Sequence, residues 1–311
     1  MWLYLLRRIV TSSLAVIVAT MLVFGLSRFL ADPRYTLIGQ AGYGMSQEMW
    51  EKLGDELHLN DPVPIQFGYW AADVLRGDFG KDLIDDRPVL PKLQQKIGPS
   101  AKLGLVAWVI ATVIGIPIGV ISAVTRGSMI DYCCRTFALF GQAVPTFFAG
   151  ILAILCFTVW LDWLPAAGMG EGFAVKHYIM PASVLAWLPA AGYLRFTRSA
   201  MLEVLDSEYI KLARAKGVSN RSVIWNHAFR NASLIPLTAT ALVLAGFITG
   251  SVLVEAVFAW PGIGQYAVQA VQTNNINVLV PIVLIFTVLF IFTNLIVDLM
   301  YGLLDPRIRY T

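Results

Sequence analysis

Residues 206–231 read DSEYIKLARAKGVSNRSVIWNHAFRN, a polar stretch set between two apolar segments. It carries too many charges to enter a bilayer, and it is too regularly patterned for a slack connector. Asp206 or Ser207 can cap a helix, because either side chain can accept from the unpaired amides of a first turn. Glu208 then falls in that turn, where a negative charge suits the helix dipole. Tyr209, Leu212, Ala213 and Lys216 follow at i, i+3, i+4, i+7 and share one helical face. Gly217 ends the helix, since glycine takes the left-handed conformation past a C-terminus at least cost. Ser219 can cap a second helix in which Asn220, Val223, Ile224 and His227 share a face. Asn231 closes it, and Pro236 opens the next apolar run. The pattern predicts two short helices joined at a glycine, with basic residues on the outer side. An ordinary polar loop of a membrane protein would also fit, so the rest of the chain decides.

Composition puts the chain in a bilayer. Hydrophobic residues make up 57% and charged residues 14%, with a mean hydropathy of +0.68; a soluble domain carries roughly 25% charge. A net charge of +3 is too small to point to nucleic acid. Cys133 and Cys134 are adjacent and Cys156 lies in an apolar run, which is no disulfide framework. His58, His177 and His227 lack ligand spacing, so no metal site is expected. The one Gly-Lys pair, Gly80-Lys81, precedes Asp82 and is not a phosphate-binding loop.

Six apolar runs are candidate spans: 9–30, 103–124, 136–160, 179–193, 234–254 and 278–304. Several approach the ~20 residues that cross a hydrocarbon core. Residues 179–193, with Pro181 and Pro189, form the shortest. The first run follows Arg7 and Arg8 and exceeds the apolar core of a cleaved signal, so it reads as a retained helix. Residues 31–100 form a large polar loop with short amphipathic helices over 45–58 and 65–76. It carries seven Lys/Arg against eleven Asp/Glu.

Six spans leave both termini on one side. That side holds 13 Lys/Arg, among them Arg126, Arg135, Arg195, Arg198 and the cations of 206–231. The opposite short loops, 161–178 and 258–277, hold only Lys176. The excess of positive charge puts the termini and the 206–231 stretch in the cytoplasm.

Two acids stand out. Asp298 lies inside the last run, where an ionisable group costs at least ~2.5–3.5 kcal/mol and needs a partner. It reads as a structural intramembrane acid, with Arg195 or Arg198 as its counter-charge. Glu255 ends the fifth run and is expected to reach water and to brace the loop 258–277. That loop holds Trp260, Pro261, Gly262 and Gly264 and reads as a re-entrant or hairpin element, or as an aromatic anchor in the headgroup belt.

Four stretches resemble inner-membrane permease subunits of the dipeptide/oligopeptide/nickel branch of ATP-binding-cassette importers. They are LRRI at the start of span one, LHLNDPVPIQFGYWAADVLRGDFGKDL, EYIKLARAKGVSNRSVIWNHAFRNASLIP, and VFAWPGIGQYAVQAV with the ending DLMYGLLDPRIRY. They cover nearly the whole length. The broader importer family carries a Glu-Ala-Ala motif, then Gly after three residues and Ile-x-Leu-Pro after nine more. Here Lys211, Leu212 and Ala213 fill the first places, Gly217 matches, and His227, Phe229 and Arg230 replace Ile, Leu and Pro. The motif's Glu therefore has no counterpart.

The resemblance implies an all-α membrane protein of six helices. Residues 1–100 would be the first helix and a periplasmic loop, and residues 101–311 a five-helix core with coupling helices at 206–231, between helices 4 and 5. It implies a permease subunit in a prokaryotic inner membrane, carrying peptides, or else nickel complexes, glutathione or oligosaccharides. Glu208, Tyr209, Leu212, Ala213, Arg214, Ala215, Lys216, Gly217 and Val218 would couple to an ATPase. Glu255, Trp260, Pro261, Gly262 and Gly264 would gate the outer face or meet a binding protein. Partners would be a second homologous permease, two cytosolic ATPase subunits holding ATP and Mg, and a periplasmic substrate-binding protein. The chain itself would bind no cofactor and catalyse nothing. A secondary transporter would need inverted repeats, and no matching halves occur. An intramembrane protease would need a base beside Ser122, Ser183, Ser199 or Ser251, and the three histidines lie in loops.

Overall fold

In lipid a helix satisfies its own backbone hydrogen bonds, so an apolar chain that crosses a bilayer as a single segment must be helical there. The computed structural model describes residues 2–30, 34, 46–56, 58–249 and 251–304. Among them the regular structure is helical, apart from an isolated bridge between Lys81 and Pro88. In chain order the helices are α1 (Trp2–Leu30), α2 (Gln47–Glu56), α3 (Val63–Leu75), α4 (Val89–Val124), α5 (Met129–Ala143) and α6 (Thr146–Ile154). The last of these runs on through π-helical winding over Leu155–Trp160. They continue as α7 (Val175–Leu205), α8 (Glu208–Ala215), α9 (220–232, π-wound over Val223–Phe229), α10 (Leu234–Thr249), α11 (Val252–Val257), α12 (Ile263–Gln272) and α13 (Ile276–Leu304).

Three of them contain stretches long and apolar enough to cross a membrane: Val10–Phe29, Val89–Val124 and Ile276–Leu295. The pair α5 and α6, bent by 102°, makes a fourth if counted as one span. The bend falls at Val144, which is extended (φ −90°, ψ 121°) because the ring of Pro145 disfavours helical backbone in the residue before it.

The helices extend past the apolar runs read from sequence. α4 starts at Val89 rather than 103, because Val89 and Leu93 pack against Ile263, Val278 and Ile282 while Lys92 turns outward to Asp82. α7 runs from Val175 to Leu205 rather than over 179–193. Arg198 does not break it, because its guanidinium meets Asp131. The fifth run is split, α10 ending at Thr249 and α11 starting at Val252.

The centre is the packing of α4 against α7, the most extensive helix pairing among the described residues. Small residues let the backbones approach closely. A Cβ on Gly115 would sit 2.5 Å from the carbonyl oxygen of Ala190, and one on Gly119 2.7 Å from that of Leu194. Leu103, Ala107 and Ala111 of α4 fill the same core as Tyr178, Leu185 and Ala186 of α7.

Polar contacts bracket the apolar part of α4 between Ser100 and Ser122. At one end the Ser100 hydroxyl accepts from the Ile263 amide at 2.9 Å; at the other the Ser122 hydroxyl donates to Asp131 at 2.7 Å. Ser122 lies twenty-two helical steps beyond Ser100, about 33 Å of rise, close to the ~30 Å thickness of a hydrocarbon core.

Candidate functional site

At the Ser122 end, α8 and α9 form the predicted helix pair. Gly217 takes φ +78°. Its amide donates to the Arg214 carbonyl at 3.0 Å, and the Val218 amide donates to the Ala213 carbonyl at 3.2 Å. This two-bond closure of a helix C-terminus needs the left-handed residue that glycine supplies. The predicted caps differ. Ser207 sits at the N-cap position, but its hydroxyl donates back to the Val204 carbonyl, and Asp206 pairs with Arg126 at 3.2 Å. Ser219 likewise precedes the second helix without capping it through its side chain, and that helix runs to Ala232, past Asn231.

Two contacts hold the pair in place. Asn231 Nδ2 donates to the Tyr209 hydroxyl at 3.2 Å, tying α9 to α8. Ile210, absent from the predicted set, is the anchor. It is fully buried with Val223, Ala228 and Ala232 against Val120 and Ala123 of α4 and Ala200 and Met201 of α7. Burying such a side chain is worth about 1.5–3 kcal/mol. Ile210 could have been found as the residue one position off the Tyr209–Leu212–Ala213 face. That face points away from the bundle: Leu212 is 56% exposed and Tyr209 44%. Glu208, Arg214, Ala215 and Lys216 are exposed too, with Glu208 paired to Lys211 at 2.8 Å.

The same end holds an ion pair that the sequence reading missed, joining α5 to α7. Asp131, in the first turn of α5, accepts from Arg198 Nε at 2.8 Å and Nη2 at 3.0 Å. It also accepts from the Ser122 hydroxyl and from the Gly127 amide at 3.0 Å. Arg198, one of the two partners expected for Asp298, is thus engaged by Asp131. Arg195, the other, donates to Gln142 at 3.0 Å. The Asp298 side chain lies outside the described residues.

At the Ser100 end, Glu255 is 1% exposed. This corrects the expectation that it reaches water, while its bracing of the following loop is observed. It accepts from Ser251 at 2.7 Å and from the Gly264 and Gln265 amides at 2.8 and 3.2 Å. A buried carboxylate on the free amides that open α12 satisfies both charge and backbone. Gly262 and Gly264 have no room for a Cβ, because the Glu255 carboxylate lies against them. Trp260 is 0% exposed: its indole donates to the Pro99 carbonyl at 3.0 Å, and its ring meets Tyr178 edge-on at 4.7 Å. Its side chain is therefore inside the fold rather than on a surface open to a soluble protein.

Asp82 completes this end. It accepts from Lys92 at 2.6 Å, from the Tyr266 hydroxyl at 2.8 Å and from Asn275, joining the loop before α4 to the ends of α12 and α13. Burial pushes its carboxyl up, but the bonds from Lys92, the Ile84 amide, Tyr266 and Asn275 outweigh it and hold the pKa below the ordinary value. The loop 161–174 docks at the same end through Gly168, whose amide donates to the Phe258 carbonyl at 2.9 Å.

Residues 115–310 match the family described as binding-protein-dependent transport system inner membrane component. A probable peptide ABC transporter permease of Sinorhizobium fredii is 35% identical over 100% of both chains. The oligopeptide transport system permease protein AppB of Bacillus subtilis is 35% identical over 99% of both. The dipeptide transport system permease protein DppB of Escherichia coli is 34% identical over 99% of this chain and 98% of its own. Among solved structures, a chain of the inward-facing MetNI methionine ABC transporter superposes with a TM-score of 0.57 at 19% identity, covering 70% of this chain and 97% of its own. A chain of an amino acid ABC transporter does so at 0.52 and 16%, covering 68% and 93%. Matched along its whole length by permeases and over most of it by two transporter folds, the chain belongs to the inner-membrane components of binding-protein-dependent transport systems.

Proposed function

We propose that the chain is the permease subunit of an ATP-driven peptide importer, forming half of the translocation path beside a second homologous permease. The observation that carries this reading is the docking of α8 and α9. Ile210 is buried in the ends of α4 and α7, while Leu212 and Tyr209, on another face of α8, are free to seat in a partner. A push on that face is passed directly to the two most closely packed helices. Closure of two cytosolic ATPase subunits, which would hold ATP and Mg, would then drive a rigid-body change between inward- and outward-facing packings. Glu208 to Val218 would be the coupling set. The cations around α8 would speed docking on acidic rims more than they tighten it.

In this reading six helices cross the membrane: α1, α4, α5 with α6, α7, α10 and α13. Residues 1–100 supply the first, an outer loop and the start of α4, and 101–311 the rest of the core. The distribution of Lys and Arg supports cytoplasmic termini. The outer end, braced by Glu255, Gly262 and Gly264 around the buried Trp260 and beside Pro261, would act as a gate, and a periplasmic binding protein would deliver cargo above it. Peptide cargo is supported by the names of the three relatives.

The test is uptake into liposomes holding the complete transporter. Peptide uptake should need both ATP and the binding protein and should stop with vanadate. Uptake that follows a proton or sodium gradient instead overturns the reading.

A further inference from the structure

Between α5 and α7, at the Ser122 end, lies a cleft whose walls include Arg135, Gln142, Arg195 and Arg198, with Leu139 and Leu202 beside them. Three guanidiniums face it. Among the described residues one carboxylate, Asp131, lies within 4.0 Å of any of them: Arg198 grips it and Arg135 reaches it at 3.9 Å. Among the described residues Arg195 meets the neutral Gln142 and the Phe196 ring. The cleft thus carries two more positive charges than negative ones.

Its depth identifies what would balance them. Arg198 and Ser122 share Asp131, so the cleft sits at the polar boundary of the ~33 Å apolar zone. One turn deeper on α5, Leu139 is 70% exposed and Phe140 60%. A basic floor at headgroup level beneath exposed apolar side chains matches an anionic head joined to an acyl chain. Basic pockets between helices at this membrane face are suited to acidic phospholipids. We propose that the α5–α7 cleft is a binding site for the phosphate of an anionic phospholipid, with Arg135 and Arg195 as its principal contacts and Arg198 held in place by Asp131.

The test uses the complete transporter, purified in detergent and titrated with phosphatidylglycerol, phosphatidylcholine or inorganic phosphate, read by native mass spectrometry and unfolding temperature. Phosphatidylglycerol should be retained and should raise the unfolding temperature, and the other two should do neither. The variant Arg135→Gln/Arg195→Gln should bind phosphatidylglycerol roughly 30-fold more weakly, while Arg135→Lys/Arg195→Lys keeps most of the affinity. Equal retention of phosphatidylcholine, or no loss in the glutamine variant, overturns the proposal. Equally tight inorganic phosphate would mean a free-anion site, and displacement of the lipid by peptide would assign the cleft to the cargo path; either result also overturns it. If the glutamine variant does not assemble, the comparison of lipids on the unaltered protein decides alone.

Discussion

Arg198 donates to both carboxylate oxygens of Asp131, Nε at 2.8 Å and Nη2 at 3.0 Å, and so joins the C-terminal part of α7 to the first turn of α5. Asp131 is nearly inaccessible and its remaining acceptor capacity is filled by Ser122 and Gly127. Removing one partner leaves an uncompensated buried charge. Arg198→Ala should cost about 3–5 kcal/mol, and Asp131→Leu/Arg198→Met together much less. Thermal unfolding of the complex in nanodiscs measures both. A single variant within about 0.5 kcal/mol of the parent would show that the pair is not structurally important.

Leu212→Asp should leave insertion and assembly intact but uncouple ATP hydrolysis from uptake, because Leu212 is exposed and makes no core contact. Gly217→Pro should do the same more severely: it removes an amide that donates to Arg214 and forces φ away from +78°. Parallel ATPase and uptake assays give the ratio that matters. Normal uptake per ATP in both variants would remove α8 from the coupling path.

Trp260→Ala should destabilise by about 3–5 kcal/mol, as for other fully buried aromatic residues, and the loss should appear before any partner is added. Gly264→Ala should be comparably severe, since its Cβ would fall 2.7 Å from Val252 Cα and 2.9 Å from Glu255 Oε2. Unfolding of the isolated permease is the readout. A Trp260→Ala protein of unchanged stability, defective only with the binding protein present, would move Trp260 from bracing to contact.

The loop around Asp82 should loosen in acid. Asp82 titrates below its ordinary 3.8 when folded, so folding favours its charged form and the detached loop binds more protons. Its contribution is therefore full above the unfolded pKa and is lost as pH falls from there through the folded value. Protection of the amides of residues 78–88, the observed exchange rate being set against the intrinsic rate at each pH, should stay high at neutral pH and fall below about pH 4. In Asp82→Asn it should be lower throughout and respond less to acid. Protection that instead rises on acidification would contradict the sign.

The sequence revealed the helix pair because its signals are local: the phase of Tyr209, Leu212 and Ala213, and a glycine where a left-handed residue is needed. It gave helix extents poorly because those depend on distant partners. The apolar run 103–124 left the first fourteen residues of α4 in the polar loop, yet Asp82 receives Lys92 and the helix starts at Val89. Arg198, read as a candidate partner of Asp298, meets Asp131, 67 residues earlier, and α7 runs on past 193. The burial of Glu255 rests on amides nine and ten residues ahead, in a helix that the turn-rich spelling of 258–264 concealed. Ile210 was overlooked because a single apolar residue off the main stripe carries no periodic signal.

The seam at Gly115 and Gly119 restricts how the molecule can change shape. With the carbonyls of Ala190 and Leu194 pressed against α4 at both positions, neither helix can roll or slip past the other without a collision. The two must travel as a keel. A change of shape is then left to joints such as the elbow at Val144-Pro145, where the rail is already cut.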